Sequence, residues 1–193
     1  TELVYTDTVY NGINENEFTF REKRGRYLLY FGRIHHDKGT FESIQIAKKA
    51  RIRLIISGLI QDESYYNEKV KPYIDGESVI YAGNSGPEKR DRLLGEALAL
   101  LHPVNFNEPF GLSVVESFFC GTPVIAYERG AMRELITHGE SGFLVNNVDE
   151  AAKAVQSIDS LSRRGIRNYA MSRFTRDIMA EKYFQIYERV LCR

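Results

Sequence analysis

The sequence predicts an α/β protein with an open, doubly wound parallel sheet. Six short apolar runs have the length of buried strands, and segments with apolar residues at helical spacings of three and four stand between them. Strands that alternate with helices in this way are typical of a parallel sheet with helices on both faces. The predicted strands are residues 27–31, 54–58, 79–83, 98–102, 124–126 and 143–145.

Three predicted helices connect the first four strands. The first has Phe41, Ile44 and Ala47 on one face, as an amphipathic helix requires. The second is expected to end near Pro72, because proline has no amide hydrogen to continue the helix. The three helices are predicted at residues 41–50, 63–73 and 88–97.

The second half of the chain continues with a helix and a buried strand. From Leu112 the apolar pattern is helical, with Val115 and Phe119 at spacings of three and four residues. Gly121 is the expected end of this helix, and Pro123 prevents its continuation. The remaining helices are predicted at residues 150–158, 160–173 and 174–191.

Composition and length limit the class of protein. The chain has 193 residues, 43% of them hydrophobic and 27% charged, which is ordinary for one globular domain. A formal net charge of zero argues against a dedicated nucleic-acid binder, and no apolar run is long enough to span a bilayer. Cys120 and Cys192 form no metal-ligand motif and no disulfide framework, so we expect free thiols in a reducing cytoplasm.

Two glutamates flank the start of the helix at Leu112. Pro109 favours an extended Glu108, and Gly111 allows another group to approach the backbone closely. The free N–H groups of the helix start favour an anion, and Glu116 lies about 7.5 Å further along the axis. Since carboxylates accept hydrogen bonds from vicinal hydroxyls, this pattern indicates a nucleoside-diphosphate sugar, with hexose at Glu108 and ribose at Glu116. The alternative is a surface loop with two solvated glutamates.

A second candidate site follows the first predicted strand. Arg33 and Lys38 flank a strand-to-helix loop, and ligands of doubly wound sheets bind beyond the carboxyl ends of strands. Both side chains suit phosphate oxygens, although solvated loop charges are the alternative. His35 and His36 predict a metal site poorly, because no carboxylate or cysteine cluster accompanies them in the sequence. His102, at the end of a strand, is interpreted as a satisfied core residue.

Several of these motifs resemble one known family. Residues 108–112, with the second glutamate eight positions after the first, resemble the E-x7-E motif of the family 4 retaining glycosyltransferases. Residues 120–126 resemble the segment that follows it, and residues 32–39 resemble the family's Gly-Arg-…-Glu-Lys-Gly loop, with Asp37 in place of Glu. The likeness runs from about residue 11 to about residue 145. Three residues depart from the family pattern: Tyr10 and Asn14 replace the first and last residues of its Pro-Asn-Gly-Val-Asp segment, and Arg133 stands where proline is frequent.

The resemblance implies the GT-B arrangement, in which two Rossmann-like domains enclose the active site. This chain resembles the C-terminal half, which binds most of the sugar-nucleotide donor. It implies that residues 1–20 are an interdomain segment, that residues 21–173 are the donor-binding domain, and that residues 174–193 form a helix that packs toward the missing N-terminal acceptor domain. The apolar side chains of this last helix cover more than one helical face, so we expect an exposed apolar patch near the N-terminal segment, formed by Tyr183, Phe184, Ile186, Tyr187, Val190 and Leu191.

The resemblance also implies the chemistry and its residues. The family transfers a hexose with retention of configuration, without a metal and without a cofactor other than the donor substrate. Arg33, Lys38 and Glu108 are the implied catalytic residues, the two cations stabilising the leaving diphosphate and Glu108 holding the hexose. The implied donor-binding residues are Gly32, Arg33, Lys38, Gly83, Glu108, Phe110, Gly111, Leu112 and Glu116.

Other functions remain open at this stage. Two carboxylates also fit a glycosidase acid and nucleophile, but a hydrolase needs no adjacent arginine and lysine. A non-catalytic nucleotide-binding or regulatory module of the same fold is the alternative function. The G-x-G-x-x-G, P-loop and G-x-S-x-G motifs are absent. If the protein is the glycosyltransferase, we expect a cytoplasmic enzyme, and any membrane contact should be peripheral and made by the missing half. We expect the present chain to bind the donor without transferring sugar.

Overall fold

The computed structural model describes residues 7–192, which form one six-stranded sheet flanked by helices. Every neighbouring pair of strands is parallel, so the predicted doubly wound parallel sheet is confirmed. The strand order is β3-β2-β1-β4-β5-β6. The strands are β1 Tyr27–Phe31, β2 Arg53–Ser57, β3 Val79–Tyr81, β4 Ala99–His102, β5 Val124–Tyr127 and β6 Gly142–Val145.

The order of the strands reverses between β1 and β4. These two strands are adjacent, with Leu28 opposite Ala99 and Tyr30 opposite Leu101. Connections leave them in opposite directions across the sheet, which opens a crevice beyond their carboxyl ends. The fold therefore places its natural ligand site where the loops after β1 and β4 meet.

Eight helices surround the sheet in the described part of the chain. Side-chain caps set several of their starts; the Asn147 side chain, for example, accepts a hydrogen bond from the Glu150 amide at 2.9 Å. They are α1 Thr40–Ala50, α2 Glu63–Tyr65, α3 Pro87–Gly95, α4 Leu112–Phe119, α5 Met132–Leu135, α6 Val148–Gln156, α7 Arg163–Met171 and α8 Arg176–Leu191. Helical turns of other types occur at Glu15–Glu17, His36–Lys38, Tyr66–Val70, Lys71–Tyr73 and Ile158–Ser160.

The core lies on both faces of the sheet. Strands β4 and β5 are buried along their whole length, as expected for central strands of a parallel sheet. On one face α1 packs against α6, and on the other α4 packs against α7. Phe118, Phe119 and Phe174 are among the largest fully buried side chains.

The observed helix boundaries differ from the predicted ones where a side chain caps the start of a helix or where a proline interrupts it. The predicted helix 63–73 is helical throughout, but it passes from α2 into a wider turn and then a tighter one around Pro72. The helix predicted to start at residue 160 starts at Arg163, after the short turn Ile158–Ser160. The Ser162 side chain caps this helix by accepting from the Gly165 amide. The last helix starts at Arg176, because the Thr175 hydroxyl accepts from the amide of Ile178 and caps it.

The last helix exposes a row of large apolar side chains, as predicted. Tyr183, Phe184, Tyr187, Val190 and Leu191 are between 43% and 84% exposed, whereas Ile186 is only partly exposed. Within residues 7–192, no helix combines the length and apolarity that crossing a bilayer requires. Residues 1–6 of the interdomain segment that the resemblance implies lie outside the described residues.

Candidate functional site

A cleft of about 480 Å³ lies at the reversal point of the sheet, beyond β1 and β4. It brings together all of the predicted site residues except one: Gly32, Arg33, Lys38, Glu108, Phe110, Gly111, Leu112 and Glu116. Gly83 lies apart, beyond the edge strand β3, where its carbonyl accepts from the Gly58 amide at 3.1 Å. The two motifs that are far apart in sequence therefore share one cavity.

The loop after β1 is held against the segment after β4 by close backbone contacts. Gly39 has a φ of +75°, and a Cβ there would lie 2.0 Å from the carbonyl oxygen of Pro103. The Asn105 amide donates to the carbonyl oxygen of Asp37 at 2.7 Å. Only glycine permits this approach, and the result is that Lys38 extends into the cleft.

Lys38 and Glu108 form an ion pair inside the cleft. The Lys38 Nζ donates to Glu108 Oε2 at 2.6 Å, and both side chains are mostly buried. The ammonium also lies 4.5 Å from the centroid of the Phe106 ring. Each group satisfies the other, so an anion that enters the cleft competes with Glu108 for the lysine.

Arg33 occupies a different position, at the exposed rim of the cleft. Its Nη1 donates to Gln61 Oε1 at 2.7 Å, and its carbonyl accepts from the Tyr30 hydroxyl at 2.6 Å. The backbone of this residue is therefore fixed by the core, while the guanidinium is held by a neutral partner. A neutral partner leaves the positive charge of Arg33 available to an anion.

The start of α4 supplies free backbone donors. Within residues 7–192, the amides of Phe110, Gly111 and Leu112 donate no hydrogen bond, and no side chain caps the helix. Gly111 has a φ of +99°, and a Cβ there would lie 2.8 Å from the Met132 methyl carbon. The helix start is thus uncapped and faces the cleft, which suits a negatively charged ligand group.

Leu112 and Phe110 have opposite surroundings. Leu112, which the helical pattern groups with the buried Val115 and Phe119, is 55% exposed at the edge of the cleft. Phe110 is buried, with its ring 6.3 Å from the ring of Phe174. Packing of Phe110 therefore anchors the loop, whereas the Leu112 side chain is free to cover a ligand.

Glu116 is held by an arginine that the sequence analysis did not identify. Arg90, from α3, donates to Glu116 at 2.9 Å and to Glu17 at 2.8 Å. Burial raises the pKa of Glu116 above its ordinary value, and the Arg90 charge opposes that shift. The carboxylate is thus oriented before any ligand arrives.

The backbone of Glu108 is fixed by a neighbouring turn, which was also missed. The Ala131 amide donates to the Glu108 carbonyl at 2.9 Å. Gly130 has a φ of +55°, and a Cβ there would lie 2.3 Å from that carbonyl oxygen. A glycine before a short helix could have indicated this close approach.

The interpretation of His102 as a satisfied core residue is wrong. The residue is buried, but within the described part of the chain its Nε2 has no hydrogen-bond partner and lies 4.0 Å from Glu108 Oε2. Burial, and secondarily the charge of Lys38, lowers its pKa to about 3, so the imidazole is neutral. Its position at the carboxyl end of β4, where doubly wound sheets bind ligands, could have indicated that it lies in the site.

The two adjacent histidines do have carboxylate neighbours, contrary to the sequence interpretation. Ligand atoms of His35, His36 and Asp37 lie within 4.8 Å of one another, and His36 Nδ1 is 3.5 Å from Asp62 Oδ2. However, His35 Nδ1 already accepts a hydrogen bond from the Asp37 amide at 3.3 Å. The cluster therefore satisfies itself through internal hydrogen bonds.

Comparison with known proteins identifies relatives. Residues 13–177 match the family described as glycosyl transferases group 1. A protein from the cps region of Klebsiella pneumoniae is 30% identical over 182 residues, covering 91% of this chain and 49% of that protein. An uncharacterized glycosyltransferase of Methanocaldococcus jannaschii is 28% identical, with the same coverage of 91% and 49%. The chain thus spans about half the length of the curated relatives it matches.

Solved structures also match nearly all of this chain over little more than half of their own length. AviGT4, a glycosyltransferase involved in avilamycin A biosynthesis, superposes with a TM-score of 0.81 and 25% identity over 95% of this chain and 58% of its own. Anabaena HepE in complex with UDP-glucose has a TM-score of 0.78 and 22% identity, over 96% and 57% of the two chains. This partial match is the one expected for half of a GT-B glycosyltransferase. The chain therefore belongs to the glycosyl transferases group 1 family.

Proposed function

We propose that this chain is the donor-binding part of a retaining glycosyltransferase of family 4, which transfers a hexose from a nucleoside-diphosphate sugar to an acceptor. The observation that carries the proposal is the cleft itself. Lys38, the uncapped start of α4, Glu108 and Glu116 meet in one cavity at the reversal point of the sheet. A diphosphate flanked by two hydroxyl-rich groups matches the order of these features.

Each side chain has a role in this proposal. Lys38, with Arg33 at the rim, stabilises the negative charge that develops on the leaving diphosphate. The amides at the start of α4 bind the β-phosphate or the hexose. Glu108 binds hexose hydroxyls, and Glu116, already oriented by Arg90 at 2.9 Å, binds the ribose. The fold shared with HepE, whose structure contains UDP-glucose, supports a sugar-nucleotide donor.

The ion pair in the cleft gives donor binding a specific first step. Lys38 is bound to Glu108 at 2.6 Å, and a diphosphate brings more negative charge than one carboxylate. The lysine therefore moves to the diphosphate, and Glu108 becomes free to accept from hexose hydroxyls. Two side-chain cations and a helix start supply the positive charge, so the proposal includes no metal ion.

The acceptor side is assigned to the remaining half of the full-length protein. Positioning of an acceptor nucleophile can supply about 7–11 kcal/mol of barrier reduction. We propose that the exposed row on α8 packs against that half, and that this chain alone binds the donor without transferring sugar. A cytoplasmic location belongs to the same proposal.

Calorimetric titration with UDP-, GDP- and ADP-glucose tests the assignment. One of the three should bind, and Lys38→Ala and Arg33→Ala should each weaken binding about 10- to 100-fold, because hydrogen bonds to charged groups are worth about 1.5–3 kcal/mol. Lys49→Ala is the matched control, since that lysine pairs with Asp149 on the surface, away from the cleft. Unchanged affinity in both variants, or binding of none of the three nucleotides by the wild-type chain, would refute the assignment.

A further inference from the structure

His102 is the second basic residue beside Glu108. In the described part of the chain, Lys38 and His102 are the two basic side chains within 4.0 Å of the Glu108 carboxylate. Lys38 Nζ makes a short hydrogen bond to Oε2 at 2.6 Å, whereas His102 Nε2 lies 4.0 Å from the same oxygen. The longer distance is outside hydrogen-bond range, so this arrangement satisfies the lysine, whereas the histidine Nε2 has no partner among the residues that the structure describes.

The Nε2 atom of His102 is buried beside the start of α4 as well as beside Glu108. His102 is 8% exposed, and a Cβ placed on Gly111 would lie 3.7 Å from Nε2. The ring nitrogen thus lies between the Glu108 carboxylate and the backbone at the start of α4. Buried polar atoms of native proteins nearly always have a partner, so an orphan at this position points to a state in which it gains one.

We propose that His102 is the positioning residue for Glu108 in the donor-bound state: when the diphosphate draws Lys38 away, the Nε2–H of His102 donates to the Glu108 carboxylate. The inference rests on the proposed function, because it needs a diphosphate that competes for Lys38. The shift required is small. Closing the gap from 4.0 Å to hydrogen-bond distance moves the carboxylate by about 1.2 Å, which side-chain rotation provides.

The neutral state of the imidazole suits this role. Burial lowers the pKa of His102 to about 3, so the ring carries one N–H donor and no charge at neutral pH. A neutral donor orients the carboxylate without neutralising it, and the other oxygen of Glu108 stays free to accept from a hexose hydroxyl. Lys38, in contrast, can serve either Glu108 or the diphosphate.

Two variants separate hydrogen bonding from packing. His102→Gln places an amide nitrogen, which can donate, at the same distance along the side chain as Nε2. His102→Met has a similar volume and no donor. The titration uses whichever of UDP-, GDP- and ADP-glucose the wild-type chain binds, together with the matching nucleoside diphosphate, and the readout is the ratio of the two dissociation constants.

In His102→Met, we expect the affinity advantage of the sugar nucleotide over the plain diphosphate to fall about tenfold, while the diphosphate itself binds within about twofold of wild type. His102→Gln should keep most of the advantage. The same ratio in wild type and both variants would overturn the inference while leaving the proposed function intact. If the wild-type chain binds none of the three nucleotides, the proposed function fails, and this inference fails with it.

Nuclear magnetic resonance of the wild-type imidazole gives a second test that does not depend on a variant. In the complex with the sugar nucleotide, we expect the proton of His102 on Nε2, hydrogen-bonded and protected from exchange with water. In the free chain, that proton should lack the hydrogen-bond shift. A complex in which the proton is on Nδ1 would contradict the role, because Nε2 could not then donate to Glu108.

Discussion

Arg163 is a buried charge that no carboxylate within residues 7–192 pairs with, and its removal should be costly. The residue is 5% exposed. Its guanidinium donates to backbone carbonyls and a hydroxyl: to Arg21 at 2.7 Å, Gly95 at 2.7 Å, Ala97 at 2.9 Å and the Thr122 hydroxyl at 2.6 Å. Arg163 thereby connects α7 to the segment before β1, the end of α3 and the turn before β5.

The magnitude follows from these partners. Burial lowers the pKa of Arg163 to about 10, so the side chain still carries its charge at neutral pH. Replacement by methionine fills most of the volume but leaves buried carbonyl oxygens without this donor, each at a cost of about 1–3 kcal/mol. Three carbonyl oxygens lose their donor together and no charge is left unpaired, so we expect a loss near the lower end of their summed cost, about 3–5 kcal/mol for Arg163→Met.

Denaturant unfolding and thermal melting measure this loss. At about 2–4 °C per kcal/mol for a domain of this size, the melting temperature should fall by about 6–20 °C. Arg164→Met is the matched control, because the neighbouring side chain is 63% exposed and contacts Glu22 at 3.3 Å. We expect that control to lose less than about 1 kcal/mol. An equal effect of the two substitutions, or a loss below about 1 kcal/mol for Arg163→Met, would refute the reasoning.

Two further predictions concern residues beside Glu108. The pKa of His102 is about 3 in the folded chain against an ordinary value of 6.5, so below pH 6.5 the unfolded chain binds a proton that the folded chain does not. The free energy of unfolding therefore decreases as the pH falls from 6.5 toward 3. Between pH 7 and pH 5, urea unfolding should show a loss about 2 kcal/mol larger for the wild type than for His102→Gln. Parallel stability curves of the two proteins against pH would contradict this. An alanine in the left-handed conformation costs about 1–2 kcal/mol, and Gly130→Ala should lower stability by more than this, because its Cβ would lie 2.5 Å from the Glu108 nitrogen. The same substitution should weaken binding of the sugar nucleotide at least about fivefold. Gly139→Ala, at a φ of +80° with no atom within 4 Å, is its control for strain and should leave the affinity unchanged; equal affinity of the two variants would argue against a role of the Gly130 turn in holding Glu108.

Local sequence patterns predicted the helices and strands of this fold, because these elements depend mainly on residues that are neighbours along the chain. Strand β1 was predicted at its observed bounds, since a short apolar run between polar loops has few other solutions in a folded chain. Gly121 and Pro123 correctly ended α4 before β5. Both candidate sites were predicted to follow strands, and they meet in the structure because the carboxyl ends of parallel strands share one edge of the sheet.

Tertiary structure alone decided which groups pair with which. Lys38 contacts Glu108 across 70 positions of the chain, and Arg163 reaches the carbonyl of Arg21 across 142. Nothing in the sequence around Arg163 distinguishes it from the exposed Arg164. The strand-end position of His102 does not by itself show that, among residues 7–192, its Nε2 has no partner beside Glu108. Hydropathy periods depend on neighbours along the chain, whereas burial and hydrogen bonding depend on the distances between elements after they pack. The sequence by itself therefore determined the sheet, its helices and the place of the cleft, and the packing of those elements determined how the charges inside the cleft are balanced.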